Sequence, residues 1–221
     1  MFKGQTVSVI LLAAGASARM GENKILFRFC GKTPIELCID AFSEFADEII
    51  LACSESTKFA AEQAARCIDV PSYVTAGGAT RQLSVANALS YAHMDIVSIH
   101  DCARCLVTPD VIRRSLDAAV EHGCGITSIP VSDTIRYKRS GETVDRAALI
   151  AAQTPQSFNR EVFLNAHRNA SKDYTDDAAL FLDSGYTLHY SLGDKSNIKL
   201  TTPDDIAVFN AILSVRRGVN A

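Results

Sequence analysis

A chain of 221 residues is long enough for one well-buried domain, or one domain with a substantial excursion, and its 48% hydrophobic and 21% charged content excludes a disordered chain. A net charge of −3 excludes the broad basic face that nucleic-acid binding needs, so any polyanion must be bound locally. No apolar stretch approaches the roughly 20 residues of a membrane span, and seven scattered cysteines, an odd number, suit a reducing cytoplasm better than a disulfide framework.

The first predicted element is a strand over residues 7–14, an uninterrupted apolar run. Its lack of alternation marks a strand buried on both faces, as in a parallel sheet, and the sheet's need for it argues against a signal peptide. The run ends at Gly15. Residues 15–24 are small, flexible or cationic, with Arg19 and Lys24 at the far side. Open α/β sheets bind ligands at the C-terminal ends of their strands. Gly and Ala let backbone N–H groups approach phosphate oxygens, and two cations can neutralise the charge. The segment therefore reads as a triphosphate loop, although it is neither a G-x-G-x-x-G nor a G-x-x-x-x-G-K-S/T loop.

A helix is expected over residues 33–45, with Thr33 as cap and Pro34 in the first helical position. A strand over 47–53 and a helix over 57–67 follow, then a strand over 72–76. The turn Gly77-Gly78-Ala79-Thr80 opens a helix over 81–93, with Leu83, Ala86, Leu89 and Ala92 near one face. Next come a strand over 95–101, a helix over 108–123 and a strand over 124–131. Four β–α alternations imply right-handed crossovers and a mostly parallel sheet with helices on both faces.

Residues 132–154 break the pattern. They alternate around a Ser-Gly turn and read as a hairpin. A two-stranded ribbon has too little core to stand alone; it must lie on its own domain or reach onto another subunit, and we expect the second, a protruding dimerisation arm. Helices over 159–170 and 175–185, the second capped by Thr175, lead to a strand over 187–193 and a last helix over 201–217. The simplest organisation is one α/β domain over 1–221 with a dimerisation arm at about 132–154.

Three further places could carry chemistry. The turn at Gly77 offers backbone amides, a helix N-terminus, Arg81 and Ser84 to an anion or a base edge. Asp101 ends a strand beside the first loop, where it is placed for Mg²⁺, and Arg104 would face a second substrate. Lys199 sits on a short extended segment before the last helix. Plain structural readings stay open at each: an αL turn with a surface arginine, an Asp101–Arg104 pair, a solvated lysine. Asp176 and Asp177 read most simply as a capped helix start. Cys102 and Cys105 spell C-x-x-C without the second pair a zinc site needs. With Arg104 and a helix start nearby to lower a thiol pKa, this pair is an expected point of oxidant sensitivity.

The blocks LAAGASARMGENK, GGATRQLSV, HDCAR, PVSDTIRY, VDRAALIAAQTPQSF, TDDAALF and NIKLTTPDDIAVF occur in this order over nearly the whole chain. Together they resemble the 2-C-methyl-D-erythritol 4-phosphate cytidylyltransferases of the non-mevalonate isoprenoid pathway. The resemblance implies a Rossmann-like α/β domain whose β-arm interlocks two subunits. It implies that Ala13, Ala14, Gly15, Arg19 and Lys24 hold the CTP triphosphate, and that Gly77, Arg81 and Ser84 read cytosine and ribose. Asp101 would lie by Mg²⁺ and the α-phosphate. Arg104, Thr134, Thr154 and Lys199 would take the polyol phosphate, and Arg146 would act from the partner subunit. Arg19, Lys24, Arg146 and Lys199 are the implied catalytic set. Departures are Ser17 for a second glycine, Asn23 for a proline, and Cys102 and Cys105 for Ala and Pro; none removes a charge. Competing readings are a ribitol 5-phosphate cytidylyltransferase, a sugar-1-phosphate nucleotidyltransferase using another nucleotide, and a catalytically silent dimeric scaffold.

Overall fold

The computed structural model describes residues 1–15 and 23–218. Seven strands form one sheet in the order β3-β2-β1-β4-β6-β5-β7. They are β1 (Val7–Ala13), β2 (Glu48–Cys53), β3 (Ser72–Ala76), β4 (Ile96–Asp101), β5 (Cys124–Pro130), β6 (Ile150–Asn159) and β7 (Tyr190–Leu192). All neighbouring pairs are parallel except those made by β6, which is antiparallel to both β4 and β5. The α/β reading and the mostly parallel sheet are thus as expected.

Helices α1 (Pro34–Phe42), α2 (Glu55–Ala65), α4 (Pro109–His122) and α7 (Asp204–Gly218) cover one face, and α3 (Arg81–Leu89), α5 (Arg160–Arg168) and α6 (Asp177–Asp183) the other. Every residue of β1 is buried. Val7, Val9, Leu11 and Ala13 enter one core, while Ile10 and Leu12 enter the other. This two-sided burial is the physical content of the unalternating apolar run. At α1 the cap is as read: Thr33 takes the Glu36 N–H and Glu36 returns to the Thr33 N–H, with Pro34 in the first turn.

Three expectations needed correction. The arm ends at Leu149, not residue 154, because Ile150–Asn159 is an inner strand of the sheet. Pro155 and the polar run around it hid this strand, since proline removes a ladder donor. The structure accommodates them with a register shift opposite Thr127, whose hydroxyl donates to the Pro155 carbonyl at 2.6 Å. Ser157 is buried with its hydroxyl on those of Ser98 and Ser115, at 2.9 and 2.8 Å. The second correction is at α6, whose cap is Asp176 rather than Thr175. The third is the face of α3. Leu83 is 49% exposed, and Val85, Ala88, Leu89 and Ala92 pack inward. Ser84 sets this rotation, because its hydroxyl must reach the Gly78 N–H and the Thr80 carbonyl, both at 3.0 Å.

Residues 132–149 leave the sheet as an exposed excursion. An Arg136–Thr143 bridge and the Tyr137 and Val144 amides, bonded to the Glu142 and Ile135 carbonyls, make a short hairpin closed by Gly141 at φ +76°. Ile135 and Tyr137 stand exposed on it.

Candidate active site

A cavity of about 550 Å³ opens at the C-terminal ends of β1 and β4. The chain turns back here: β2 and β3 extend the sheet to one side of β1, and β4 lies on the other. Such a reversal point is where open α/β sheets bind ligands. Ala14, Gly15, Lys24, Arg81, Ser84, Asp101 and Lys199 all line the cavity.

The walls explain the sequence locally. Gly78 forms one side, and Gly77 beside it does not line the cavity; no larger residue fits at either position. A Cβ on Gly77 would lie 2.4 Å from the Ala14 Cβ, and one on Gly78 2.3 Å from the Leu83 Cβ. The two glycine-containing turns are therefore packed against each other. Ala13 ends β1 beneath this wall and is fully buried. Thr80 caps α3 by accepting the Leu83 N–H at 3.2 Å and also faces the cavity.

Asp101 is the electrostatic centre. Its Oδ1 accepts from Arg81 Nε at 3.2 Å and its Oδ2 from Lys199 Nζ at 2.6 Å. Burial alone would raise its pKa; Arg81 first and Lys199 next overcome that and hold it well below the usual carboxylate range. Arg81 also pairs with Asp177, Nη2 to Oδ2 at 2.8 Å. Burial opposes its charge, but the two carboxylates more than restore it and raise its pKa. Lys24 lies at the cavity's edge, near enough to Asp205 to help depress that carboxyl. Arg19 falls outside the described residues.

Behind Asp101 lies a buried scaffold. The Asp101 N–H donates to Thr154 Oγ1 at 3.1 Å, the Thr154 hydroxyl lies 3.1 Å from His100 Nδ1, and His100 Nε2–H donates to the Arg104 carbonyl at 3.2 Å. Burial lowers the His100 pKa to about 4, so the ring is neutral near pH 7, and with Nε2–H on the Arg104 carbonyl its Nδ1 accepts from Thr154. Thr154 supports Asp101 from beneath and does not line the cavity. Arg104 Nη1 donates to the Asn197 carbonyl at 2.8 Å, and Asn197 Nδ2 donates to the Thr154 carbonyl at 2.9 Å. Arg104 thus staples the segment that carries Lys199, and it pairs with Asn197 rather than with Asp101.

A neutral buried histidine makes stability depend on pH. With the folded pKa near 4 and the unfolded value near 6.5, the unfolded chain binds more protons between those values. The contribution is full above pH 6.5 and is lost as pH falls toward 4. Without nucleotide or metal, the protein is expected to lose about 2 kcal/mol between pH 7 and pH 5 in denaturant unfolding. His167, also lowered by burial, adds to the same window. His100→Gln should flatten most of that slope.

Thr134 and Arg146 are not in this cavity. Both sit on the arm and are exposed; Arg146 Nη1 donates to the Ser132 carbonyl at 2.6 Å. Arg146 lines a second hollow of about 460 Å³ at the arm's root, with Leu149, Ile150, Tyr190 and Leu192.

The expected thiol reactivity is overturned. Cys38, Cys102 and Cys105 are buried, and burial pushes the Cys105 thiol up to about 12 and raises Cys38 as well. Arg104 does not offset this, because its guanidinium is engaged with Asn197. A polar alkylating reagent is expected to modify the exposed Cys30 and Cys67 by mass spectrometry and leave activity intact. Activity loss tracking modification of Cys102 or Cys105 would contradict this burial.

A cationic cavity at the reversal point of an open α/β sheet defines a ligand-binding α/β domain suited to an anion. The family model for 2-C-methyl-D-erythritol 4-phosphate cytidylyltransferase (IspD) matches residues 7–215, and the chain belongs to that family. The bifunctional enzyme IspD/IspF of Bradyrhizobium diazoefficiens is 40% identical over 99% of this chain and 58% of its own length. The 2-C-methyl-D-erythritol 4-phosphate cytidylyltransferase of Caldanaerobacter subterraneus is 37% identical over 94% of this chain and 98% of its own. The chain therefore spans a little over half of the bifunctional relative and nearly all of the single-function one. The crystal structure of the Thermus thermophilus enzyme of that name superposes with a TM-score of 0.79, at 30% identity, over 94% of this chain and 98% of that one. A synthase from Anaerococcus prevotii, at 24% identity, shares the fold with a TM-score of 0.84 over 96% of this chain and all of that one.

Asp177 and Asn197 were not singled out as site residues from sequence. The acidic doublet was the available signal at Asp177: one acid caps α6, so the second is left to explain. Asn197 carries no such signal.

Proposed function

We propose that this chain transfers the cytidylyl group of CTP to 2-C-methyl-D-erythritol 4-phosphate, giving 4-diphosphocytidyl-2-C-methyl-D-erythritol and pyrophosphate. The observation that carries this reading is the cavity in which Arg81 and Lys199 hold Asp101 and Lys24 lines the same space. The family match supports methylerythritol phosphate over ribitol 5-phosphate as acceptor. A phosphate monoester is largely dianionic at neutral pH, with a second pKa near about 6, so its oxygen needs no general base. It attacks the α-phosphorus; the bond to the bridging oxygen breaks, and pyrophosphate leaves with the electron pair. The barrier is anion–anion repulsion and alignment, which fixed cations reduce. His100, buried and engaged on both nitrogens, has no part as a base.

Magnesium fits the donor set. Among the described residues no three acidic, histidine or cysteine side chains form an all-protein cage. One carboxylate, Asp101, lines the cavity, as in sites completed by substrate phosphates. A bound ion would shield phosphate charge and polarise the α-phosphoryl group. Asp101 would hold it, and Lys199 would then turn from Asp101 toward phosphate.

We assign Arg146 to the cavity of a partner subunit in a homodimer. Its distance from its own cavity's lining and the exposed apolar residues of the arm support this. Mixing Lys24→Ala with Arg146→Ala subunits tests it. If Arg146 acts in trans, each heterodimer regains one intact site, and activity recovers to about a quarter of wild type after random exchange. No recovery despite proven exchange would place Arg146 in its own subunit's site. The chain has no helix long and apolar enough to cross a membrane among the described residues; we place it in the cytoplasm, a location its unlinked cysteines suit.

The function itself is tested by pyrophosphate release with each of four NTPs against methylerythritol phosphate, ribitol phosphate and a sugar 1-phosphate. Release is expected with CTP and methylerythritol phosphate. Preference for ribitol phosphate would change the acceptor, and no release under any pairing would favour the scaffold.

A further inference from the structure

The geometry points to Asp177 as the positioning residue for Arg81, a residue that never touches the nucleotide but fixes the guanidinium that does. Asp177 is 2% exposed and does not line the cavity. Burying a carboxylate is costly unless it is paired, and helix capping does not require it here. Asp176 already caps α6 by accepting the Ala179 N–H at 2.9 Å. The ion pair to Arg81 Nη2 at 2.8 Å is the contact that accounts for it.

The pair is held from the sheet. Gln156 on β6 takes the Ala178 N–H on its Oε1 at 3.0 Å and donates to Asp176 Oδ2 at 3.3 Å, which fixes the first turn of α6. Arg81 then faces carboxylates from two elements: its Nε is hydrogen-bonded to Asp101 on β4, and its Nη2 is ion-paired with Asp177 on α6 by proximity, without hydrogen-bond alignment. Nη1 has no partner among the described residues, and Arg81 lines the cavity. Nη1 is therefore the donor left for a nucleotide acceptor.

Asp177 also protects the division of charge at Asp101. Guanidinium and carboxylate favour a bidentate fork. Without Asp177, Arg81 can turn two nitrogens onto Asp101 and compete with Lys199 for Oδ2. With Asp177 in place, Arg81 keeps to Oδ1 and Lys199 to Oδ2.

This inference rests on CTP being the nucleotide, and the test separates the two. Asp177→Asn and Asp177→Glu are made in the wild-type and Arg81→Lys backgrounds, and each is read as KM and kcat by pyrophosphate release and as Kd for CTP by titration. In the wild-type background Asn should raise KM and Kd for CTP about tenfold, and Glu, which keeps the charge but displaces it, about threefold, with kcat changed less. In the Arg81→Lys background either change should add under about twofold. Equal factors in both backgrounds, or a fall in kcat at constant KM, would overturn the role. If the Asn variant does not fold, the Glu variant gives the same comparison. CTP binding without turnover in the wild type would overturn the proposed function and leave the coupling measurable through Kd.

Discussion

Replacing Lys199 by alanine is expected to lower kcat for cytidylyl transfer by about 10²–10³, the usual effect of losing one donor to a developing oxyanion. Lys199 Nζ sits 2.6 Å from Asp101 Oδ2, yet its side chain is 41% exposed, so the ammonium can swing from carboxylate to phosphate within the cavity. The half-exposed Lys199 gains little from the pair, and Arg81 still holds the buried Asp101 after the change. The melting temperature should therefore stay near wild type. Steady-state kinetics with saturating CTP, alongside a thermal melt, checks this. Near-normal turnover would remove Lys199 from the reaction.

Arg81→Met is expected to act differently, with a loss of about 3–5 kcal/mol of folding stability as well as of activity. Met approximates the aliphatic stem and removes the charge. Asp177 is then buried without a counter-ion, since Arg81 is its ion-pair partner among the described residues. The remedy identifies the cause: Arg81→Met combined with Asp177→Leu should recover most of the stability and none of the activity, because a buried pair replaced by apolar groups is often neutral. Denaturant unfolding of the three variants checks both statements. An Arg81→Met protein as stable as wild type would mean that Asp177 is solvated.

The parallel half of the fold was legible because burial on both faces leaves apolar runs, as in β1 and β2, and because the Thr33 cap with Pro34, and Pro109 in the first turn of α4, mark helix starts. What misled was β6. Its buried Gln153, Thr154, Gln156 and Ser157 look like loop residues until their partners are known, and those partners are remote in sequence. The same holds for the site. Lys24, Arg81, Ser84, Asp101 and Lys199 line one cavity, and each lies in a short local motif. The scaffold beneath them, His100, Thr154, Asn197 and Arg104, depends mostly on hydrogen bonds that span 43 to 93 residues. Such contacts leave no local pattern to read. The departures at Cys102 and Cys105 fit the same picture: both thiols fill buried space next to Asp101 rather than facing its ligands.

Cytidylyl transfer is chemistry at one phosphorus. Phosphorus NMR of wild-type protein with CTP, Mg²⁺ and 2-C-methyl-D-erythritol 4-phosphate follows it directly. We expect the acceptor's monoester signal and the three CTP signals to give way to pyrophosphate and to two mutually coupled resonances of a new diphosphate bridge. CMP and pyrophosphate with an unchanged monoester would mean attack by water, and unchanged CTP would contradict transfer altogether.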